Sequence, residues 1–172
     1  IALPSDRLRD VVEKFGQADV FKIEPGECAD ETVCYISQDD ADDTVVVFGL
    51  WAESINNFIM TTKGYIPFFC EKCAKSALVK KGIATNGGIT LGMTKERFIA
   101  IFGKPNEIIE DDGVAYRYIR KFKFTDEEVK KLKLKLDKSE YPPYDVSIIS
   151  GIQAHFWEGK LVWFMVYKEL WG

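Results

Sequence analysis

The 172-residue chain is 47% hydrophobic and 29% charged, with only 13 Gly and 6 Pro, the balance of a folded globular protein rather than a disordered one. Its net charge of −4, with 23 basic residues spread along the sequence, leaves no basic stripe to neutralise phosphates, so nucleic acid is not an expected partner. The longest apolar run, LVWFMVY at residues 161–167, has the length of a strand, not the roughly 20 residues that cross a bilayer.

The first residue is Ile rather than Met, which leads to the expectation of a processed or trimmed chain whose export signal has been removed. Leu8, Val11, Val12 and Phe15 then fall at i, i+3, i+4 and i+7, the apolar stripe of a short helix, with Ser5 as N-cap and Gly16 as its stop. Two strands follow, ETVCYIS at 31–37 and DTVVVFGLW at 43–51. The acidic run between them, Asp39, Asp40, Asp42 and Asp43, lacks the spacing, central Gly and final Glu of a calcium loop and is read as a solvated turn. CEKCAKSALVKKG at 70–82 is read as another short helix, with Ala74, Ala77 and Leu78 on one side and Gly82 as its stop.

A second capped helix is predicted within GITLGMTKERFIAIFGKPNE at 88–107: Thr94 is the N-cap, Phe98, Ile99 and Phe102 form the stripe, Gly103 ends it, and Pro105 prevents its resumption. GVAYRYIRKF at 113–122 and VSIISGIQAHFW at 146–157 are strands. Between them, FTDEEVKKLKLKLDKSEYPPYD at 124–145 is an insertion opened by a capping box, Thr125 with Glu128, and closed by Pro142-Pro143. Helix is favoured there, with a long hairpin arm as the other reading. Glu158-Gly159 is a two-residue turn into KLVWFMVY at 160–167. Simple alternation across that turn sets Phe156 opposite Leu161, Ala154 opposite Trp163 and Ile152 opposite Met165 on the core side. It leaves His155, Trp157, Lys160 and Phe164 on the other side, as the face able to recognise something.

Residues 3–19 and 91–107 share an order of cap, stripe and stop. Phe15-Gly16 superposes on Phe102-Gly103, Val11 on Phe98 and Val12 on Ile99, and each helix feeds a meander of strands. A duplicated architecture is the expectation. Gly92, Met93, Thr94, Phe98, Phe102, Gly103 and Pro105 also carry a resemblance to the signature of the BamE (SmpA/OmlA) family of small outer-membrane lipoproteins and of the similar β-lactamase inhibitor proteins. The likeness covers roughly residues 88–122 and the final hairpin; in the first half Ala18 stands where Pro105 does, and LPS replaces LGM. It implies an α+β fold of two tandem units, each of short helices on a small antiparallel sheet: residues 1–66, and residues 67–172 with the insertion at 124–145. It also implies a concave sheet surface that grips another protein, and tethering of the lipoprotein members to a membrane through a removed N-terminal segment.

The four cysteines, Cys28, Cys34, Cys70 and Cys73, form two close pairs. Two disulfides in an oxidising compartment come first among their readings, with local pairing of Cys28 with Cys34 and Cys70 with Cys73 favoured over the other connectivities. A zinc site comes second, because five residues between Cys28 and Cys34 make a loose knuckle, and a redox CxxC comes third.

Catalytic signatures are missing. GxSxG, a Walker loop and HExxH do not occur, and the one histidine, His155, has no nominated nucleophile or carboxylate beside it. Four Trp, seven Tyr and twelve Phe exceed what a core of this size obviously needs. The resulting expectation is an exported, non-enzymatic protein-interaction module of periplasm, envelope or secretion, without cofactor, whose contact residues are Trp157, His155, Lys160, Phe164, Tyr118 and Trp51. A structural zinc or thiol-redox protein is the alternative, and a small ligand held between sheet and insertion is a third reading.

Overall fold

The computed structural model describes residues 8–22, 31–51, 54–65, 72–109, 112–132 and 144–171. It is a mixed α+β fold: a large, mostly antiparallel sheet with few, short helices. Helix α1 (Leu8–Phe15) precedes β1 (Phe21–Lys22), β2 (Glu31–Ser37), β3 (Thr44–Trp51), β4 (Ser54–Thr62) and the short β5 (Ala74–Ser76). Helix α2 (Lys95–Phe102) precedes β6 (Glu107–Ile109), β7 (Gly113–Phe124), helix α3 (Asp126–Leu132), β8 (Tyr144–Trp157) and β9 (Lys160–Trp171). The strands lie in the order β1-β2-β3-β4-β9-β8-β7-β6, with β5 added in parallel beside β2. The junction is antiparallel pairing of β4 with β9, from Asn57 opposite Tyr167 to Thr61 opposite Trp163.

Both helices end as their sequences require. Gly16 and Gly103 take positive φ, and their N–H groups donate to Val12 O at 2.9 Å and Ile99 O at 2.7 Å. Thr94 caps α2 by accepting from Arg97 N at 3.3 Å; the expected cap of α1, Ser5, lies outside the described residues. Each stop glycine is then tied to the sheet by a tyrosine: Tyr35 Oη donates to Gly16 O at 2.8 Å, and Tyr116 Oη to Gly103 O at 2.7 Å. Burial pushes both phenols above their ordinary pKa, with Tyr118 adding to the effect on Tyr116, so both stay protonated donors. Phe15 packs on Tyr35 at 5.3 Å and Phe102 on Tyr116 at 5.5 Å.

The main core lies between one sheet face and the helices, where Val11, Phe98, Val46, Met60, Phe156, Leu161 and Phe164 are buried together with Val79, Ile89 and Met93 from the connecting loop. A second, smaller core covers the other face of β2, β3 and β4: Cys34, Val45, Val47 and Ile59 are buried against Phe21, Ile36, Cys73, Trp163 and Met165. The consecutive valines of β3 are thus buried on both faces, as a continuous apolar run demands.

Three expectations are corrected here. Residues 74–76 form β5, not a helix, because Tyr35, Ile36 and Ser37 of β2 offer a free edge and a disulfide holds the incoming chain to it. That disulfide joins Cys34 to Cys73, not each cysteine to its near neighbour; Cys28 and Cys70 lie outside the described residues. The acidic turn is solvated at Asp39, Asp40 and Asp43, whereas Asp42 is buried and accepts hydrogen bonds from Thr44 N at 2.9 Å and from Lys81 N. Burial works against the Asp42 charge, but the hydrogen bonds from Thr44, Lys81 and Ser37 outweigh it and hold the carboxyl below its ordinary pKa.

The insertion opens in the favoured helix, while the stretch with Leu134 and Leu136 on which the hairpin-arm reading rests lies outside the described residues. Strands β7 and β8 stay paired as a long hairpin out to Phe124 opposite Tyr144. Helix α3 then begins with its capping box, Thr125 N donating to Glu128 Oε2 at 2.8 Å and Glu128 N to Thr125 Oγ1 at 3.4 Å. Residues 133–143, with Pro142-Pro143, lie outside the description.

Replacing both Cys34 and Cys73 by Ala is expected to lower the unfolding free energy by about 3 kcal/mol in a urea titration, since the bond closes a loop of 39 residues; an unchanged midpoint would refute the clamp. An Asp42→Asn variant should show its full stability deficit at pH 7. Because the native pKa lies below that of the unfolded chain, the deficit should shrink as pH falls below about 4, through the native pKa. A deficit that ignores pH would rule this out.

Candidate functional site

The β8–β9 hairpin decides which side chains reach the second sheet face. Its turn is Glu158-Gly159, with φ of 49° and 71°, a type I′ geometry that matches strand twist but favours Asn or Gly at the first position. Beyond it, Phe156 pairs with Leu161 as expected, but the next pair is His155 with Trp163, leaving Val162 as a bulge. The extra residue reverses the alternation in β9. Ala154 therefore faces Phe164 and Ile152 faces Val166, while Gln153 faces Met165.

The consequences for the expected contact residues are direct. Phe164 is 0% exposed and packs against Phe98 at 6.0 Å in the main core, so it is no part of a binding face. Trp163, expected in that core, lies on the second face, edge-on to His155 at 5.1 Å. Trp157 is 64% exposed, and Lys160 stands exposed directly opposite it. Tyr118, 56% exposed, continues the Tyr116 side of β7 and is thus on the opposite face from Trp157. Trp51 closes β3 opposite Ser54, and its side chain lies outside the description. The structure brings together His155, Trp157 and Lys160 and separates them from Phe164 and Tyr118.

Around this group lies a depression of about 760 Å³, lined among others by Tyr65, Asp112, His155, Trp157, Glu158 and Trp163. Its walls are held from several directions. Met93 O accepts from Leu161 N at 2.9 Å, Gly92 N donates to Leu161 O at 2.8 Å, and Lys95 N to Gly159 O at 3.3 Å, which stitches the start of α2 to the hairpin turn. Lys95 Nζ pairs with the Asp112 carboxylate and stands 5.7 Å from the Phe156 ring centre. Tyr65 and Asp112 were not singled out from sequence; they come from a 3-10 turn and a β-turn far apart in the chain, with no local signal for their meeting.

Glycines on this face let neighbouring side chains lie flat across the sheet. A Cβ at Gly151 would come within 2.5 Å of the Tyr167 ring, and one at Gly113 within 3.1 Å of the His155 ring. Both rings are fixed by the strand beneath them. Tyr167 also hydrogen-bonds Arg117, and this bond, with the nearby Glu107 carboxylate, raises the already high guanidinium pKa. The same face over β2, β3 and β4 is covered by the second core.

Two bonded sulfurs, Cys34 and Cys73, are unavailable as thiolates in this oxidation state, and Cys73 does not pair within its CxxC. Among the described residues, no three His, Cys, Asp or Glu side chains gather as a metal site, and no helix is long and apolar enough to cross a membrane. Comparison with protein-family models, with curated proteins and with solved structures finds no match to this chain.

Glu158 occupies the left-handed region at a cost of roughly 1 kcal/mol. A Glu158→Asn variant is therefore expected to gain about 1 kcal/mol of stability in denaturant unfolding. Equal or lower stability would mean that the Glu158 side chain makes a compensating contact.

Proposed function

We propose that the chain is an exported, non-enzymatic interaction module of two tandem helix-plus-meander units, and that it docks a protein on the aromatic end of the second unit. The observation that carries the docking surface is Trp157, exposed at the rim of a depression that also holds His155 and Trp163, which lie edge-on to each other with the His155 ring over Gly113. Rigid, half-exposed aromatics lose little conformational entropy on binding, which is why they dominate interface energetics. The disulfide fits an oxidising compartment, in keeping with export.

The tandem reading draws support from matched geometry in the two halves. Gly49 pairs with Asn57 and Leu50 with Ile55, while His155 pairs with Trp163 and Phe156 with Leu161; each residue of the first set stands 106 positions before its counterpart. Both hairpins thus carry the same bulge, Asn56 in one and Val162 in the other, and Trp51 matches Trp157 at the turn. The paired tyrosine-to-glycine hydrogen bonds repeat on the same plan. In this reading the boundary near residue 66 precedes a stretch, 72–90, that returns to the first unit through β5, the disulfide and the Asp42 hydrogen bond.

Immobilised protein should capture a partner from envelope extract, and Trp157→Ala should abolish that capture while changing stability by no more than about 0.5 kcal/mol, as for an exposed side chain. Phe164→Ala, by contrast, should cost about 3–5 kcal/mol of stability because it empties the main core. Capture unaffected by Trp157→Ala would remove this surface from the function.

A further inference from the structure

The depression at the β8–β9 turn is not chemically neutral. Tyr65, Trp157 and Trp163 contribute rings to it, and among the described residues the acids of its lining are Asp112 and Glu158, with no lysine or arginine beside them in the lining. Among the described residues, Asp112 and Glu158 are also the two non-glycine positions with positive φ, at 62° and 49°. Left-handed backbone is unfavourable for residues with a Cβ and persists where the surroundings impose it. Here it falls twice on an acid, and both acids border the same hollow. An aromatic wall beside carboxylates is an environment that stabilises a desolvated cation, through the ring quadrupole and through direct charge. The molecule already holds one cation this way at the same end: Lys95 is paired with Asp112 and lies over Phe156. Asp112 is therefore engaged, while Glu158, exposed on the turn, is the carboxylate presented to an incoming group.

We propose that this depression receives an arginine side chain of the docked protein, its guanidinium stacked on Trp157 and paired with Glu158. Arginine suits the site because its planar, weakly hydrated head can stack on an indole and bond a carboxylate at once, whereas a lysine ammonium cannot stack. The inference rests on the reading of this face as the protein-docking surface. Lys160, opposite Trp157 but outside the lining, opposes the incoming charge and tempers the affinity.

The test uses the full, disulfide-intact chain and two blocked tripeptides, acetyl-Ala-Arg-Ala-amide and the same peptide with citrulline in place of arginine, while indole N–H signals are followed by NMR. The arginine peptide is expected to shift the Trp157 and Trp163 signals saturably, with a dissociation constant in the range of about 1–10 mM, and the uncharged citrulline peptide to leave them in place. Glu158→Gln, which keeps the turn geometry no more strained than before, should weaken binding by about threefold to fivefold, and Lys160→Gln should tighten it about twofold. Equal shifts with citrulline, no shift at about 20 mM, or indifference to Glu158→Gln would overturn the proposal. The two readings fail separately: partner capture that needs Trp157 without any arginine response strikes the inference alone. An arginine response in a chain whose partner capture ignores Trp157→Ala strikes the docking surface alone.

Discussion

The pairing of β4 with β9 is the constraint on which the rest of the structure depends. Before it forms, each meander presents a long bare strand edge, Ser54–Thr62 in one half and Lys160–Trp171 in the other, and exposed edges of that kind recruit other chains. Joining them pairs Asn57–Thr61 of one edge with Trp163–Tyr167 of the other. It also sets Met60 beside Phe164 and Phe58 beside Val166 on the helix side, and Ile59 beside Met165 on the far side, so both cores run across the junction. Under the spacing that relates the two hairpins, Ile59 corresponds to Met165, Asn57 to Trp163 and Thr61 to Tyr167. The ladder is centred on the Ile59–Met165 pair, with Asn57 opposite Tyr167 at one end and Thr61 opposite Trp163 at the other.

The bulges control what that sheet displays. Without Val162, alternation would carry Trp163 inward and Phe164 outward; with it, Phe164 closes the main core over Phe98, and Trp163 is delivered to the second face beside His155. The glycines complete the effect, because a side chain at Gly151 or Gly113 would lift the Tyr167 or His155 ring away from the sheet. The two helices sit differently on the sheet. Beside Val11 of α1 there remains a depression of about 310 Å³ over Phe48, Phe58 and Met60, whereas Phe98 of α2 packs directly onto Phe156.

The disulfide and its surroundings explain why the two halves of the second face behave differently. Cys73, Lys75 and Lys81 bring the connecting chain back over β2 through a covalent bond, an ion pair with Asp40 and a backbone hydrogen bond to Asp42. The apolar face of the first meander is covered from within. The aromatic end of the second meander, beyond the reach of that chain, keeps Trp157 at the surface.

Local chemistry made much of this legible in advance. The stop glycines and Thr94 cap are written in groups that act within a turn of their own position, as are the Thr125–Glu128 box and the Glu158-Gly159 turn, so the sequence by itself determined two short helices, the start of the insertion and the last hairpin. It also placed Trp157, His155 and Lys160 at one end of that hairpin. Other features depend on partners distant in sequence. The bulge at Val162 answers to packing against α2 and β4, so alternation alone misplaced Trp163 and Phe164. The Cys34–Cys73 bond follows from β5 lying parallel to β2, which turned a helix-like stretch into strand and overrode the nearer cysteine pairing. The meeting of Tyr65 and Asp112 with the hairpin is likewise tertiary, since loop closure over such separations is driven by the shared core and leaves no periodicity to read.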